Sequence, residues 1–107
     1  MKYRVSLVEA AELDLLDIHL YVELNDTPRR ADDLIDKLEQ TIFSLADMPE
    51  RGHYPQELER IGIREYREIH YKPYRIIYTI QGRDVIVHCV LDGRRDMQTL
   101  LHQRLLR

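Results

Sequence analysis

Five histidines are the first residues of this chain that invite chemistry: His19, His53, His70, His88 and His102. None stands four residues from another, the spacing at which one helix offers two imidazoles to a zinc ion. No metal site is expected on that ground, and His88 reads as a hydrogen-bonded residue of the core or of an active face. Ser6 and Ser44 lack the Gly-x-Ser-x-Gly setting of an activated nucleophile. The single cysteine, Cys89, lies in an apolar run, where a thiol behaves as a small hydrophobe. One cysteine also excludes an internal disulfide and a cysteine zinc site. The chain has four glycines and neither a Walker loop nor a dinucleotide fingerprint, so no cofactor is expected.

The basic residues carry more information. Arg64, Arg67, Lys72, Arg75, Arg94 and Arg95 fall on the later strands and at the entrance to the last helix. Guanidinium groups on a sheet face, with His70 and Tyr71 nearby, suit a phosphodiester or an acidic protein segment. They equally suit neutralisation by Glu65, Glu68, Asp92 and Asp96. Alternation sets Tyr74, Ile76, Tyr78 and Ile80 against Arg75, Ile77 and Thr79. Arg75 is therefore expected to project from the open side of the sheet, with Arg94 and Arg95 within reach of that side.

The elements that must hold these residues follow from periodicity. Tyr3, Val5 and Leu7 alternate as a short strand. From Glu9 to about Leu24, Ala11, Leu15, Ile18 and Val22 form one apolar helical stripe, and Leu13, Leu16 and Leu20 form a second. One stripe is expected to meet a sheet and the other a neighbouring helix. Thr27 and Pro28 are cap and first residue of a second helix, which should run to Asp47 and stop before Pro49. So short a connection makes the two helices an antiparallel hairpin. Glu50 to Gly62 reads as a long loop or short turn, and strands follow at Ile63–Tyr71, Tyr74–Ile80 and Val85–Leu91. Gln81-Gly82-Arg83-Asp84 supplies a hairpin turn, and Pro73 belongs at a strand start or edge. Val85–Leu91 is apolar on both faces except at His88 and should be central. Met97, Leu100, Leu101 and Leu105 make a last short helix. The order β-α-α-β-β-β-α defines an α+β domain with a helical hairpin on one sheet face.

With 107 residues there is room for one domain, residues 1–107, and for one modest core. No apolar run approaches the roughly 20 residues of a membrane helix. Only four residues separate Met1-Lys2-Tyr3-Arg4 from Glu9, so no signal peptide and a cytoplasmic location are expected. The net charge of −3 conceals an asymmetry. Residues 1–50 hold 5 Lys/Arg against 12 Asp/Glu, a balance of −7, and residues 51–107 hold 11 against 7, a balance of +4. The first half repels polyanions, and a sequence pI near 5.9 is low for a dedicated nucleic-acid binder.

An ordered set of short patterns spans nearly the whole chain. It comprises Ala11-x-x-Asp14-Leu15-x-x-Ile18-x-x-Tyr21-Val22, Leu45-x-x-Met48-Pro49-x-x-Gly52, Arg64, Tyr74-Arg75-Ile76-Ile77-Tyr78 and Val90-Leu91-x-Gly93-Arg94-Arg95-Asp96. In order and spacing this set resembles the RelE/ParE toxins of type II toxin–antitoxin systems, also called plasmid stabilisation proteins. The resemblance implies a helical hairpin on a mostly antiparallel, four-stranded curved sheet with a short C-terminal helix. It also implies growth arrest, a cognate ParD/RelB-like antitoxin, and contact with operator DNA only through that antitoxin.

Members of the family divide by target. RelE-type members cut ribosome-bound mRNA without metal, which needs a base for the 2′-hydroxyl, cations for the phosphorane and an acid for the leaving oxygen. Arg75 and Arg95 match the two arginines of that pattern, and His70 is a candidate displaced catalytic group. The strand lysines are not matched, since Tyr66 and Glu68 fall near them with Arg67 as the nearby cation. Leu101 stands where the family's tyrosine would, and Leu105-Leu106-Arg107 replaces a His-Tyr ending. The resemblance therefore leans to ParE-type members, which poison DNA gyrase. A RelE-like mRNA endonuclease is the alternative, and a degenerate toxin that only binds antitoxin as a co-repressor is a third reading. Arg64, Arg67, Arg75, Arg94 and Arg95 are the target-binding candidates, and Leu13, Leu16 and Leu20 the antitoxin-binding candidates.

Overall fold

The computed structural model describes residues 2–106. A short strand (β1, Arg4–Leu7) leads into a helical hairpin (α1, Glu9–Asn25; α2, Pro28–Phe43). Two 3-10 turns, Ser44–Ala46 and Pro49–Arg51, and a one-turn helix (α3, Gln56–Glu59) precede three strands (β2, Arg67–Tyr71; β3, Tyr74–Gln81; β4, Asp84–Asp92). A last helix (α4, Met97–Leu105) follows. Among the described residues no helix is long and apolar enough to cross a membrane.

Local chemistry sets most boundaries. The Thr27 hydroxyl accepts a hydrogen bond from the Arg30 amide at 3.1 Å, and Pro28 takes the first helical position. The second helix gives way at Phe43 to the 3-10 turn, and Met48 before Pro49, at φ −140° and ψ 71°, is non-helical. Asp96 caps α4 by accepting from the Thr99 amide at 3.2 Å. Gly82, at φ +60°, supplies the left-handed residue of the turn between β3 and β4. Pro73 lies just before β3, after a cis Lys72–Pro73 bond.

The sheet order is β1-β4-β3-β2, with β1 parallel to β4 and the other pairs antiparallel. The expected central strand is thus central. One face is covered by the hairpin: Ala11, Leu15, Leu38 and Ile42 pack on Ile76, Tyr78, Val85, Val87 and Val90. A wholly buried Leu or Ile of this kind stabilises the fold by about 1.5–3 kcal/mol relative to exposure.

The opposite face departs from expectation. It is not open: Leu58 of α3 and Met97 and Leu101 of α4 cover Ile77, Cys89 and Leu91. The stretch Glu50–Gly62, expected to be a long loop or short turn, supplies the one-turn helix α3 for this cover. The strand expected from Ile63 begins only at Arg67, because Ile63 donates its amide to Leu58 and packs in the second cluster instead. Within β4, Ile77 pairs with Cys89 and Tyr78 with Val87, so His88 is the extra residue of a bulge. The bulge shifts the alternation, sending Val85, Val87 and Val90 to the hairpin face and Cys89 and Leu91 to the other.

Candidate functional site

Arg75 sits on the face covered by α3 and α4, and only 15% of its side chain is exposed. This corrects its expected placement on an open face. The guanidinium grips two carboxylates. Nε and Nη2 donate to Glu68 at 2.6 and 3.0 Å, and Nη1 and Nη2 donate to Glu57 at 2.9 and 2.7 Å. The Glu57 hydrogen bonds, with Glu68 adding to them, raise the pKa of Arg75 further above its already high value. Arg75 in turn holds the Glu57 carboxyl below the usual range. Neutralisation by Glu68, one of the sequence alternatives, is the arrangement found, and Glu57 completes it from a turn with no periodic signal.

Gly93 is part of this packing. A Cβ there would stand 2.9 Å from Arg75 Cδ and 3.0 Å from the Pro73 carbonyl, so the chain can pass the Arg75 stem only as glycine.

The other candidate arginines occupy two separate places. Arg64 and Arg67 lie over the Tyr54 ring at 5.9 and 5.0 Å. Arg67 also donates to the Gly52 carbonyl at 2.9 Å, while Arg64 is exposed 3.7 Å from Glu59. Arg94 and Arg95 line a groove of about 430 Å³ between α1 and the end of β4, with Asp17, Tyr21 and Tyr74. Arg94 is held to Asp92 at 2.7 and 3.0 Å, which keeps the Asp92 carboxyl low. Arg95 is exposed, and among the described residues its guanidinium has no ion pair or hydrogen bond. The five candidates therefore do not form one patch.

Two further placements bear on function. Leu13, Leu16 and Leu20 are not buried against a neighbouring helix as expected; they are 50%, 61% and 50% exposed. Ala11, Leu15 and Ile18 make the apolar inward contact of α1. Leu16 also lines a groove between the hairpin helices with Leu7, Ile35 and Phe43. Leu101 is wholly buried beneath the sheet. His88 is half-buried, its Nε2 2.9 Å from the Thr79 hydroxyl, and burial lowers its pKa.

His70 stands beside the Arg75 cluster, with Nε2 3.2 Å from Glu68 Oε1. His53 approaches Glu68 from the loop before α3, with Nδ1 3.7 Å from Oε2. Helical spacing does not address a set assembled from a loop and a strand. The signal for two of its three members was Glu68-x-His70, two residues apart and so on one strand face. Asp14 is a second residue whose task spacing alone did not reveal. It accepts from the Val90 amide at 2.9 Å and from Arg104 at 2.9 and 2.8 Å, latching α1 to β4 and α4.

A helical hairpin on a four-stranded mixed sheet, backed by a C-terminal helix, is a fold shared with solved toxin–antitoxin structures. A chain of the chromosomal ParDE toxin–antitoxin system from P. aeruginosa superposes at a TM-score of 0.70 with 12% identity, covering 83% of this chain and 94% of that one. A chain of the RelBE2 toxin–antitoxin complex from Mycobacterium tuberculosis does so at 0.61 with 19% identity, covering 84% and 96%. No curated protein matches the sequence. The family described as ParE toxin of type II toxin-antitoxin system, parDE, matches residues 5–97. The chain belongs to that family and is a toxin of a type II toxin–antitoxin system.

Proposed function

We propose that this toxin arrests growth by inhibiting DNA gyrase and is neutralised by a cognate antitoxin. The observation that carries the reading is the state of the two residues a nuclease would need. Arg75 is held by Glu57 and Glu68, and Leu101 is an apolar residue of α4 buried against the sheet. Neither can serve a phosphorane or move a proton. Arg95, exposed and unpaired among the described residues, lies with Arg94 in a groove edged by Tyr21 and Tyr74. Arginine and tyrosine at the rim of a groove suit a protein partner. Arg94 and Arg95 make the first contact with the target, Arg64 and Arg67 offer a second, separate contact, and Arg75 supports the fold beneath.

The antitoxin's place is the outer face of the hairpin. Leu13, Leu16 and Leu20, with Leu24 and Phe43 also exposed, leave more apolar surface than a lone domain needs. An amphipathic helix laid along α1 and α2 would cover it.

Expression of the chain from a tight promoter tests both parts. Gyrase-trapped DNA breaks should appear before any cleaved ribosome-bound mRNA, and co-expressed antitoxin should restore growth. Cleaved mRNA appearing first would replace the gyrase reading with the ribonuclease one. Hydrogen exchange should show antitoxin protecting residues 9–48, and no protection there would remove the hairpin as the docking face.

A further inference from the structure

His53, Glu68 and His70 each bring one ligand atom to within 4.8 Å of the others, the sole such group among the described residues. His70 Nε2 is 3.2 Å and His53 Nδ1 3.7 Å from the Glu68 oxygens. A tetrahedral zinc ion, with bonds of about 2.0–2.1 Å, sets its ligand atoms about 3.3 Å apart. Each imidazole nitrogen thus stands near that spacing from one Glu68 oxygen, His70 from Oε1 and His53 from Oε2. Side-chain rotation within the 4.8 Å cluster would bring the three donors into one coordination sphere. We propose that they form a binding site for a divalent d-block cation of the zinc class, with a fourth position left to water.

The donor chemistry selects the ion. Two imidazoles and one carboxylate suit zinc, cobalt or nickel, and not the all-oxygen preference of calcium or magnesium. Charge agrees with this. Glu57 and Glu68 oppose the single charge of Arg75, so with neutral imidazoles the cluster holds one uncompensated negative charge. Arg75 does not exhaust Glu68, because a carboxylate offers about four lone-pair sites and Arg75 takes two. Its grip orients the carboxylate as an outer-shell partner does.

The donors are also held in place. The His53 and Glu68 backbones exchange hydrogen bonds of 3.2 and 2.7 Å. The Tyr78 hydroxyl accepts from the Gly52 amide at 3.1 Å and donates to the Pro49 carbonyl at 2.5 Å. A Cβ on residue 52 would clash with that hydroxyl and stand 2.7 Å from the Glu68 carbonyl, so glycine permits the crossing. Glu68 is 3% exposed at its side chain, whereas His53 and His70 are 62% and 39% exposed, giving the ion a route from solvent. His53 Nδ1 donates to the Tyr54 carbonyl at 3.1 Å, so an ion binding at Nδ1 must displace that hydrogen bond and leave the imidazole proton on Nε2. A bound ion would staple the loop before α3 to β2.

Full-length protein, stripped with EDTA and dialysed, should be titrated with Co²⁺ as spectroscopic probe and then with Zn²⁺ as competitor. One equivalent of Co²⁺ should give saturable visible absorption of low-coordinate cobalt, which Zn²⁺ abolishes. Loss of outer-shell partners alone costs about 10–100-fold in affinity, so His53→Ala and His70→Ala should each cost about 100-fold or more. His19→Ala, at the separate His19–Asp32 pair, should leave binding unchanged. Melting curves without metal report whether each variant folds. Should His70→Ala unfold, His53→Ala decides alone, since His53 lies outside the strands. Absence of saturable binding, or binding that His53→Ala leaves intact, overturns the site. None of these readouts depends on the toxin's target.

Discussion

At Arg75 one guanidinium answers two carboxylates, while at Arg95 the same group stands in solvent. Removing Arg75 would strand Glu68, whose side chain is 3% exposed, without its counter-charge. Loss of one partner of a buried pair costs about 3–5 kcal/mol, and Arg75→Ala should fall toward the lower end because its side chain retains some water contact. Arg95→Ala should stay within about 0.5 kcal/mol of the parent and, on the proposed function, lower toxicity. Thermal unfolding beside a growth assay separates the two, and a folded, fully toxic Arg95→Ala would make that residue ordinary surface. Titration adds a second residue-scale expectation. Burial lowers the His88 pKa, so the unfolded chain binds its proton first. That contribution to stability is complete above about pH 6.5 and declines as pH falls below it. Arg75 lowers the Glu57 pKa, and that contribution is present above the ordinary value of 4.5 and lost as pH falls through the folded value. Urea midpoints should therefore drop in two acid limbs, with the upper limb flattened in His88→Gln. An unchanged upper limb in that variant would reject the assignment.

Among the elements, α1 has the most to do. Its inward stripe packs on the sheet, its outer stripe remains for a partner, and Asp14 reaches the two elements furthest from it in sequence. The Asp14–Arg104 pair closes 90 residues of chain, and Arg104 also donates to the His88 carbonyl at 3.1 Å. Asp14→Ala would leave Arg104 and the Val90 amide without their acceptor. A loss of about 3–5 kcal/mol is expected by the same buried-pair reasoning. Chemical denaturation checks it, and Asp14→Asn should recover part of the loss by accepting from Val90. A change below about 0.5 kcal/mol for Asp14→Ala would mean the latch is solvent-screened. Leu16→Glu belongs to the opposite surface of the same helix: it should weaken antitoxin rescue while leaving the melting temperature nearly unchanged.

In the whole molecule a single sheet separates two apolar clusters, and Cys89 lies at 0% exposure in the second. Burial pushes its thiol up to about 12, so the thiolate that reacts with disulfide reagents is scarce at neutral pH. Labelling by such a reagent at pH 8 should run at the rate of opening of the fold, and fast labelling in native buffer would show that the α4 face opens locally. Several features of this architecture are legible in residue order. The Thr27-Pro28 helix start, the alternation of β3, the Gly82 turn and the surplus apolar stripe of α1 each depend on neighbours within about four positions, and local sterics and periodicity decide them. The family patterns were legible for the same reason, being short runs in a fixed order. What covers the second sheet face was not, because α3 is one turn long and carries no stripe. Nor was the His88 bulge, which exists only as a register between two strands. The partners of Arg75 lie 18 and 7 residues away and that of Asp14 lies 90 away. Such pairs form where the folded backbone brings charges together in a place shielded from water, and only the tertiary structure supplies that place.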